Sequence, residues 1–468
     1  MSSSIQRFRA KWVVPVSGQV IEDGEVIIEG DRIQEVRTAA PRSDKDVRDL
    51  GESILIPGLI NVHTHLDYTL FRGILEDLEF FPWIRELTAL RNLISESQWE
   101  ASAALGAAEA AAGGITTIGD CTPTGASCIG AKRLGLGGII YQEVFGIEDF
   151  PDVKDIIAEM HGKIQWLKKE TAGTNLKPGL SPHSPYTVRP DLMRAVADYA
   201  RMHRLPICIH AAESLAEASL MRTGAGEIAE RLKLRGINWN PPGSSSTAYL
   251  DSLGALGKQT LLVHGVQVSA GDSELMRARG AAWAHCPKSN AKLGNGIAPL
   301  GMLADKEFEN GFGLFAAALG LGTDSVASNN TMDMFEEMRT ALMMQRGARR
   351  RIHALTAIQA LHLATLGGAQ ALGLEAEIGS IVPGKRADLC AVRLNALHSM
   401  PSYDPFSALV YTSSASDVCL TIASGSTLYD SSLHQDESRC FPGFNMDPIL
   451  VQIRETSSLL RNHYKTDH

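Results

Sequence analysis

Three histidines and an aspartate, all residue types that bind metal ions, lie at or near the ends of short apolar segments. His63 and His65 end GLINVHTH, His210 lies in LPICIHAAE, and Asp324 ends LGLGTD. Alternate side chains of a strand point to the same side, so His63 and His65 would face one cation together. Three imidazoles and a carboxylate suit zinc or iron(II), with water completing the coordination. We therefore predict one divalent metal at these four residues, with zinc expected first and iron(II) as the alternative.

Eight short apolar segments of this kind, each running into a polar or reactive residue, alternate with helix-like stretches from residue 58 onward. Strands that alternate with helices predict βα units and a parallel sheet. Eight such units predict an α/β fold, namely a closed (β/α)8 TIM-type barrel, whose strands all end on one face. The polar residues expected on that face are His63, His65, Asp120, Glu143, His183, His210, His264, His285 and Asp324.

The two ends of the chain have a different pattern. Residues 1–57 and the segment EIGSIVPGKRADLCAVRL contain short strands separated by Gly, Asp and Pro. We predict that 1–57 and 381–468 together form a small β-sandwich domain built from both termini, with a helix at the very end. The metallohydrolase barrel would then occupy 58–380.

Composition excludes several classes of partner. The 468 residues carry a formal net charge of -9, which provides no electrostatic footprint for nucleic acid. The seven cysteines include no C-x-x-C pair and indicate reduced thiols. No signal peptide and no apolar run of about 18 residues is present. We expect a cytoplasmic protein without a membrane or nucleic-acid partner. A homo-oligomer is left open, because no interface can be read from one sequence.

The ordered motifs of the chain resemble those of the amidohydrolase superfamily. They cover nearly the whole sequence and are PGLINVHTH, GITTIGD, SPHSPYTV, HAAES, VHG, HCPKSNAKLGNGIAPL, LGTDSVASNN and PGKRADL. Two-metal members usually bridge their ions with a lysine at the end of the fourth strand, where this chain has His183. The resemblance therefore implies the one-metal deaminase branch, in which the third histidine and the last aspartate bind the metal.

The catalytic residues implied by this resemblance are Glu213, His264 and Asp324. A bound metal lowers the pKa of water, and a carboxyl group beside it can carry protons to the ring nitrogen and the leaving amine. Glu213, three residues after His210, is the expected proton carrier, although a carboxylate at a helix start is the alternative reading. His264 would orient the attacking hydroxide, and Asp324 would take its proton while holding the metal.

Four further residues are predicted to contact the substrate. His183 matches a substrate-contacting histidine of purine nucleoside deaminases in the superfamily, and Glu143 ends the third strand at the same mouth. Trp83 and Phe81 follow the first strand and would cover a purine ring. A structural role for His183, and core or lid packing for the two aromatic residues, are the alternatives.

The motifs look closest to those of aminodeoxyfutalosine deaminases of menaquinone biosynthesis and of S-adenosylhomocysteine–methylthioadenosine deaminases. The latter carry a glutamate that holds the ribose hydroxyls at a position near Asn92 of this chain, which favours the aminodeoxyfutalosine reading. A basic residue should then meet the benzoate of that substrate, with Arg72, Arg85 and Lys288 as candidates.

We therefore expect a hydrolytic deaminase that converts an adenine-type nucleoside, first of all aminodeoxyfutalosine, to its hypoxanthine form and releases ammonia. S-adenosylhomocysteine, methylthioadenosine or adenosine is the alternative substrate. An amidohydrolase acting on a free base, triazine or cyclic amide is a second alternative. A non-catalytic metal-binding barrel is a third, although neither a ligand nor the proton carrier is missing.

Overall fold

The strands form two sheets, one of which contains both ends of the chain. The computed structural model describes residues 5–39, 46–302 and 318–467. The first five strands are β1 (Ile5–Val13), β2 (Ile21–Glu29), β3 (Arg32–Thr38), β4 (Arg48–Asp49) and β5 (Ser53–Pro57). The next eight are β6 (Leu59–Thr64), β7 (Ile115–Thr122), β8 (Gly137–Val144), β9 (Leu176–Pro182), β10 (Ile207–Ala211), β11 (Thr260–His264), β12 (Ala282–His285) and β13 (Leu319–Leu321). The last three are β14 (Leu389–Arg393), β15 (Val418–Ala423) and β16 (Ser426–Asp430).

Helices follow most of the barrel strands. Those up to the fifth barrel strand are α1 (Phe80–Arg91), α2 (Glu96–Ala112), α3 (Ala126–Leu134), α4 (Val153–Thr171) and α5 (Pro190–His203). After β10 come α6 (Leu215–Thr223), α7 (Glu227–Leu234), α8 (Ser246–Ser252), α9 (Ala270–Arg279), α10 (Pro287–Lys292), α11 (Val326–Asn329) and α12 (Met334–Arg349). The remaining helices are α13 (Ala357–Leu363), α14 (Leu366–Ala371), α15 (Pro405–Ser407) and α16 (Asp447–Asp467). In the described part of the chain, none of the helices combines the length and apolar character needed to span a bilayer.

The barrel consists of β6 to β13 in sequence order, joined by parallel pairing. Nearly all residues of these strands are buried, because side chains fill the barrel interior and helices cover the outside. Helix α5 shows how the outer layer attaches. It begins at Pro190, which suits a first helical turn, and it buries Leu192, Val196 and Ala200 at helical spacing. The predicted (β/α)8 barrel is confirmed.

The second sheet combines strands from both ends of the chain in the order β16-β15-β14-β5-β1-β2-β3, with β4 on β1. Strand β5 is central, since it pairs parallel with β1 and antiparallel with β14. The prediction that both termini build a separate β-domain is thus confirmed, and its described strands pair in one sheet. The sandwich form and the domain boundaries at 57/58 and 380/381 stay predictions. Gly58 joins the two sheets where a Cβ atom would come within 2.3 Å of Thr116 Oγ1, so a side chain has no room there.

Hydrogen bonds between the first and last strands close the barrel. The backbone N–H of Asp324 donates to the carbonyl oxygen of His63 at 2.9 Å. Beside it, the buried Asn61 amide bridges the seam, since its Oδ1 accepts from the Thr323 N–H at 3.0 Å and its Nδ2 donates to Thr323 Oγ1 at 2.8 Å. Two predicted metal ligands therefore sit directly on the closing seam.

The substitution Asn61→Ala should lower the free energy of unfolding by about 2–4 kcal/mol, because it removes two bonds and leaves the buried Thr323 N–H unpaired. The measurement is the urea unfolding midpoint followed by tryptophan fluorescence. Asn238→Ala, which changes an exposed amide, is the control and should leave the midpoint unchanged. Equal midpoints for the two variants would show that the Asn61 amide does not hold the seam.

Candidate active site

The four predicted metal ligands come together at the carboxyl ends of β6, β10 and β13. One ligand atom from each of His63, His65, His210 and Asp324 lies within 4.8 Å of all the others, and all four residues are buried. Oδ1 of Asp324 lies 3.4 Å from Nε2 of His63 and 3.5 Å from Nε2 of His65. A group of three nitrogens and one oxygen this close together has the composition and the spacing of a site for one divalent metal.

Hydrogen bonds to the far side of His210 and Asp324 leave one atom of each facing the centre of the cluster. The Nδ1–H of His210 donates to the carbonyl oxygen of His183 at 3.0 Å, so its Nε2 carries the free lone pair. Oδ2 of Asp324 accepts from Ser289 Oγ at 2.7 Å and from Ser328 Oγ at 2.9 Å, which leaves Oδ1 free. Such outer contacts are what orient protein ligands toward a metal.

Charge is distributed unevenly among the four groups. Burial, supported by the neighbouring charge of His63, lowers the pKa of His65 to about 3, and burial also lowers the pKa of His210 well below its ordinary value. Burial disfavours the charged form of His63 as well, but the Asp324 carboxylate beside it outweighs burial and raises its pKa to about 10. Nε2 of His63 nevertheless forms no well-shaped hydrogen bond. The buried Nε2 of His63 thus lacks a hydrogen-bond partner among the described residues, and the rings of His65 and His210 are neutral. A metal cation at this point would bind all three nitrogens.

Glu213 and His264 form a second pair beside the ligand cluster. His264 ends β11, and its Nε2 lies 3.8 Å from Oε1 of Glu213. The Nδ1–H of His264 donates to Asn290 Oδ1 at 2.9 Å, and Asn295 Nδ2 donates to Glu213 Oε1 at 3.1 Å. Burial raises the pKa of Glu213 to about 7, which is the range in which a carboxyl group exchanges protons readily at neutral pH.

A strained turn after β10 holds Glu213 in place. The carboxylate of Glu217 accepts from the backbone N–H groups of Ala212 and Glu213, both at 2.8 Å, and from the hydroxyl of Ser246. Ala212 has φ +53°, and two residues of the site, His264 and Asp324, are also left-handed, at +73° and +59°. Non-glycine residues in this region are strained, and such strain tends to be found where a site requires a particular geometry.

A cavity of about 530 Å³ opens above the cluster and contains most of the predicted substrate contacts. His183 lines it, with its ring stacked on that of His210 at 4.6 Å and its Nδ1 3.0 Å from Thr187 Oγ1. Trp83 also lines it, and its buried indole N–H has no hydrogen-bond partner in the described part of the chain. Glu143 lines the same cavity. Phe81 belongs to α1, but its side chain lies outside the described part of the structure.

Arginines line the cavity, although only one of the basic residues suggested by sequence is among them. Arg85, which pairs with Glu86, lines it. Arg72 and Lys288 pair with Glu109 and Glu336, and the structure does not bring these two side chains to the wall. The additional arginines of the wall, which sequence reasoning did not find, are Arg91 in α1, Arg231 in α7 and Arg235 directly after α7.

Comparison with known proteins connects this geometry to a family. A model described as "Amidohydrolase family" matches residues 54–428. The chain is 32% identical over 447 residues to a 5-methylthioadenosine/S-adenosylhomocysteine deaminase of Nitratidesulfovibrio vulgaris, covering 93% of this chain and 92% of that protein. The chain belongs to the amidohydrolase family. The prediction of a metal-dependent deaminase of this family is confirmed at the level of family and enzyme class.

Further relatives extend this comparison. A 5'-deoxyadenosine deaminase of Methanobrevibacter smithii is 33% identical over 413 residues, covering 87% of this chain and 88% of that protein. The structure of an adenosine deaminase from Xanthomonas campestris with bound zinc superposes with a TM-score of 0.82 at 27% identity, covering 98% of both chains. The aminofutalosine deaminase of Helicobacter pylori shares the fold, with a TM-score of 0.72 at 22% identity, covering 91% of this chain and all of that one.

Sequence reasoning missed the groups behind the predicted ligands. The thiols of Cys121 and Cys208 each lie 3.8 Å from Nδ1 of His63, on the side away from Asp324. Cys208 stands two residues before His210 on one strand, so period-two spacing could have placed it on the same side. Asn290 and Ser289 lie within the HCPKSN motif, but nothing in the sequence says that one supports His264 and the other Asp324.

Removal of one ligand should abolish tight metal binding. We expect His210→Ala to weaken zinc binding by at least about 100-fold, because losing a ligand costs more than losing one of its outer contacts. The measurement is zinc per chain, by mass spectrometry after dialysis against a competing chelator.

His183→Ala is the matched control for this experiment. Its backbone carbonyl, which accepts from His210, remains, so that variant should keep one zinc per chain. Retention of one zinc per chain by His210→Ala would remove this residue from the ligand set.

Proposed function

We propose that this amidohydrolase deaminates adenine-type nucleosides. The observation that carries the proposal is the pairing of Glu213 and His264 beside the ligand cluster, at the floor of a cavity large enough for a nucleoside. Hydrolysis of a ring C–N bond needs both a group that carries protons and a polarised water, and this arrangement offers a place for each. The names of the relatives at 32% and 33% identity support the same reaction.

The residues of the chain divide the reaction between them. His63, His65, His210 and Asp324 would hold the metal, proposed to be zinc, which when bound lowers the pKa of a water molecule toward neutrality. Glu213 delivers its proton to the ring nitrogen as water adds to the carbon bearing the amine, and then takes up the proton of the hydroxyl group so formed and passes it to the amine, which leaves as ammonia. The proton that Asp324 takes from the water restores Glu213 after ammonia has left. His264, fixed by Asn290, orients the attacking oxygen through Nε2. Asp324 accepts the proton of the water.

The first candidate substrate is aminodeoxyfutalosine, which would place the enzyme in menaquinone biosynthesis. S-adenosylhomocysteine-type enzymes carry a ribose-holding glutamate at a position near Asn92 of this chain. Asn92 follows α1 and is not among the described residues that line the cavity. The arginine-lined wall suits a substrate with a carboxylate on its sugar side. The arginines favour a nucleoside with an anionic 5' substituent, and the absence of the ribose-holding glutamate favours a substrate other than that of the S-adenosylhomocysteine-type enzymes.

Methylthioadenosine, S-adenosylhomocysteine and 5'-deoxyadenosine are the second candidates. The relatives of highest identity reported above are named for these substrates and match most of the chain. Because this observation is independent of the cavity wall, the two sets of substrates must be compared directly.

The decisive measurement is ammonia release by the zinc-loaded protein from aminodeoxyfutalosine, S-adenosylhomocysteine, methylthioadenosine, 5'-deoxyadenosine and adenosine. Glu213→Gln should lower kcat by about 10²- to 10⁴-fold on the preferred nucleoside and retain zinc, because only the proton carrier is lost. Glu159→Gln, which changes an exposed carboxylate in α4, is the matched control and should keep full activity.

Absence of turnover with all five nucleosides, in protein that binds one zinc per chain, would contradict the proposal. Activity on free bases or cyclic amides would then be tested. A fully active Glu213→Gln variant would leave the substrate class standing and remove Glu213 from the mechanism.

A further inference from the structure

The cavity contains a buried carboxyl group that the proposed chemistry does not use. Glu143 is the penultimate residue of β8 and is only 6% exposed. In the described part of the chain its Oε2 has no hydrogen-bond partner, and no bond to Oε1 is found either. The side chain lines the same cavity as His183, Glu213 and His264.

An unpaired carboxyl group in such a position is costly. A buried polar group without a hydrogen bond costs roughly 1–3 kcal/mol, and more when it is charged. Burial accordingly raises the pKa of Glu143 to about 8, against the opposing charge of Arg91. The other buried carboxyl groups of the site have donors, namely Asn295 for Glu213 and two serines for Asp324. Glu143 therefore requires a donor that arrives with a ligand.

Arg91 and Tyr68 line the cavity together with Glu143. Arg91, at the end of α1, lies with its guanidinium carbon 5.8 Å from the ring centroid of Tyr68. The ring of Tyr68 in turn stacks on His65 at 5.4 Å with an angle of 7°. This wall borders the cavity on the β6–β8 side, whereas Glu213 and His264 follow β10 and end β11. Glu143 therefore lines the cavity from a different strand than the groups proposed to act on the reacting carbon, and it is available to another part of the substrate.

We propose that Glu143 forms the sugar subsite of this enzyme and accepts hydrogen bonds from the vicinal hydroxyls of the nucleoside. An ionised carboxyl group offers two acceptor oxygens on one plane, which match two adjacent hydroxyl donors, and hydrogen bonds from those donors favour the ionised form. The proposal rests on the proposed function and adds to it the feature by which ribose is distinguished from deoxyribose. A site built to hydrogen-bond a substrate hydroxyl rejects an analogue that lacks it, because its own polar group is then left unpaired.

The test compares kcat/KM for 5'-deoxyadenosine with the values for its 2'-deoxy and 3'-deoxy derivatives. The unsubstituted protein should prefer the diol by about a hundredfold or more over at least one derivative. Glu143→Leu, which cannot accept a hydrogen bond, should bring that preference to near unity. Glu143→Gln keeps one acceptor oxygen and should lie between the two.

The preference ratio separates sugar recognition from a purely structural role, since a damaged fold lowers turnover of all three nucleosides together. Glu170→Gln, which changes a carboxylate on α4 that pairs with Lys132, should leave the ratio unchanged. An unchanged ratio in Glu143→Leu, with nucleosides still deaminated, would overturn this inference and leave the proposed function standing. Absence of turnover and of calorimetric binding for these three nucleosides, together with absence of turnover for all five nucleosides named above, would overturn both.

Discussion

The backbone bond from Asp324 to His63 is the constraint on which the rest of the site depends. A barrel of parallel strands is complete only when its last strand meets its first, and β13 has just three residues with which to do so. The 2.9 Å bond extends that contact beyond the strand and turns Asp324 into the left-handed region. Its carboxylate is thereby brought beside both histidines of β6. The backbone bond that closes the barrel therefore also places Asp324 within the ligand cluster.

The same closure buries several titratable groups, and burying such a group costs free energy unless it is neutral or paired. His65 and His210 are tolerated because burial makes them neutral. Asp324 is tolerated because two serine hydroxyls and the His63 ring face it, and its pKa stays well below the ordinary value although burial acts in the opposite direction. The protein therefore supplies two neutral imidazoles, the His63 ring and one anionic oxygen around one centre. A divalent cation that replaces the proton of His63 completes this set of ligands.

The parts of the protein that repeat along the chain could be predicted, and the parts that depend on a single long-range contact could not. The apolar segments with polar ends predict all eight barrel strands. They also predict that His63, His210 and Asp324 come together, because the carboxyl ends of all strands in a parallel barrel lie on one face. Helices α1 and α7 pack together over the mouth through apolar side chains from segments distant in sequence. No periodicity encodes that contact, and the arginines of the cavity wall other than Arg85, namely Arg91, Arg231 and Arg235, consequently escaped sequence reasoning.

Reaction and specificity thus have different structural origins in this molecule. The predicted metal ligands and the proposed proton-carrying pair stand at strand ends, whose positions are set by the barrel, or on a turn that is held by Glu217. The cavity wall is built largely from α1 and α7, which the barrel does not dictate. Relatives that share the family can therefore be named for different nucleosides. Glu143 occupies a strand end, as the predicted ligands do, but it has no partner within the described protein and faces the substrate cavity. A carboxyl group fixed in this way would discriminate among sugars without any movement of the protein.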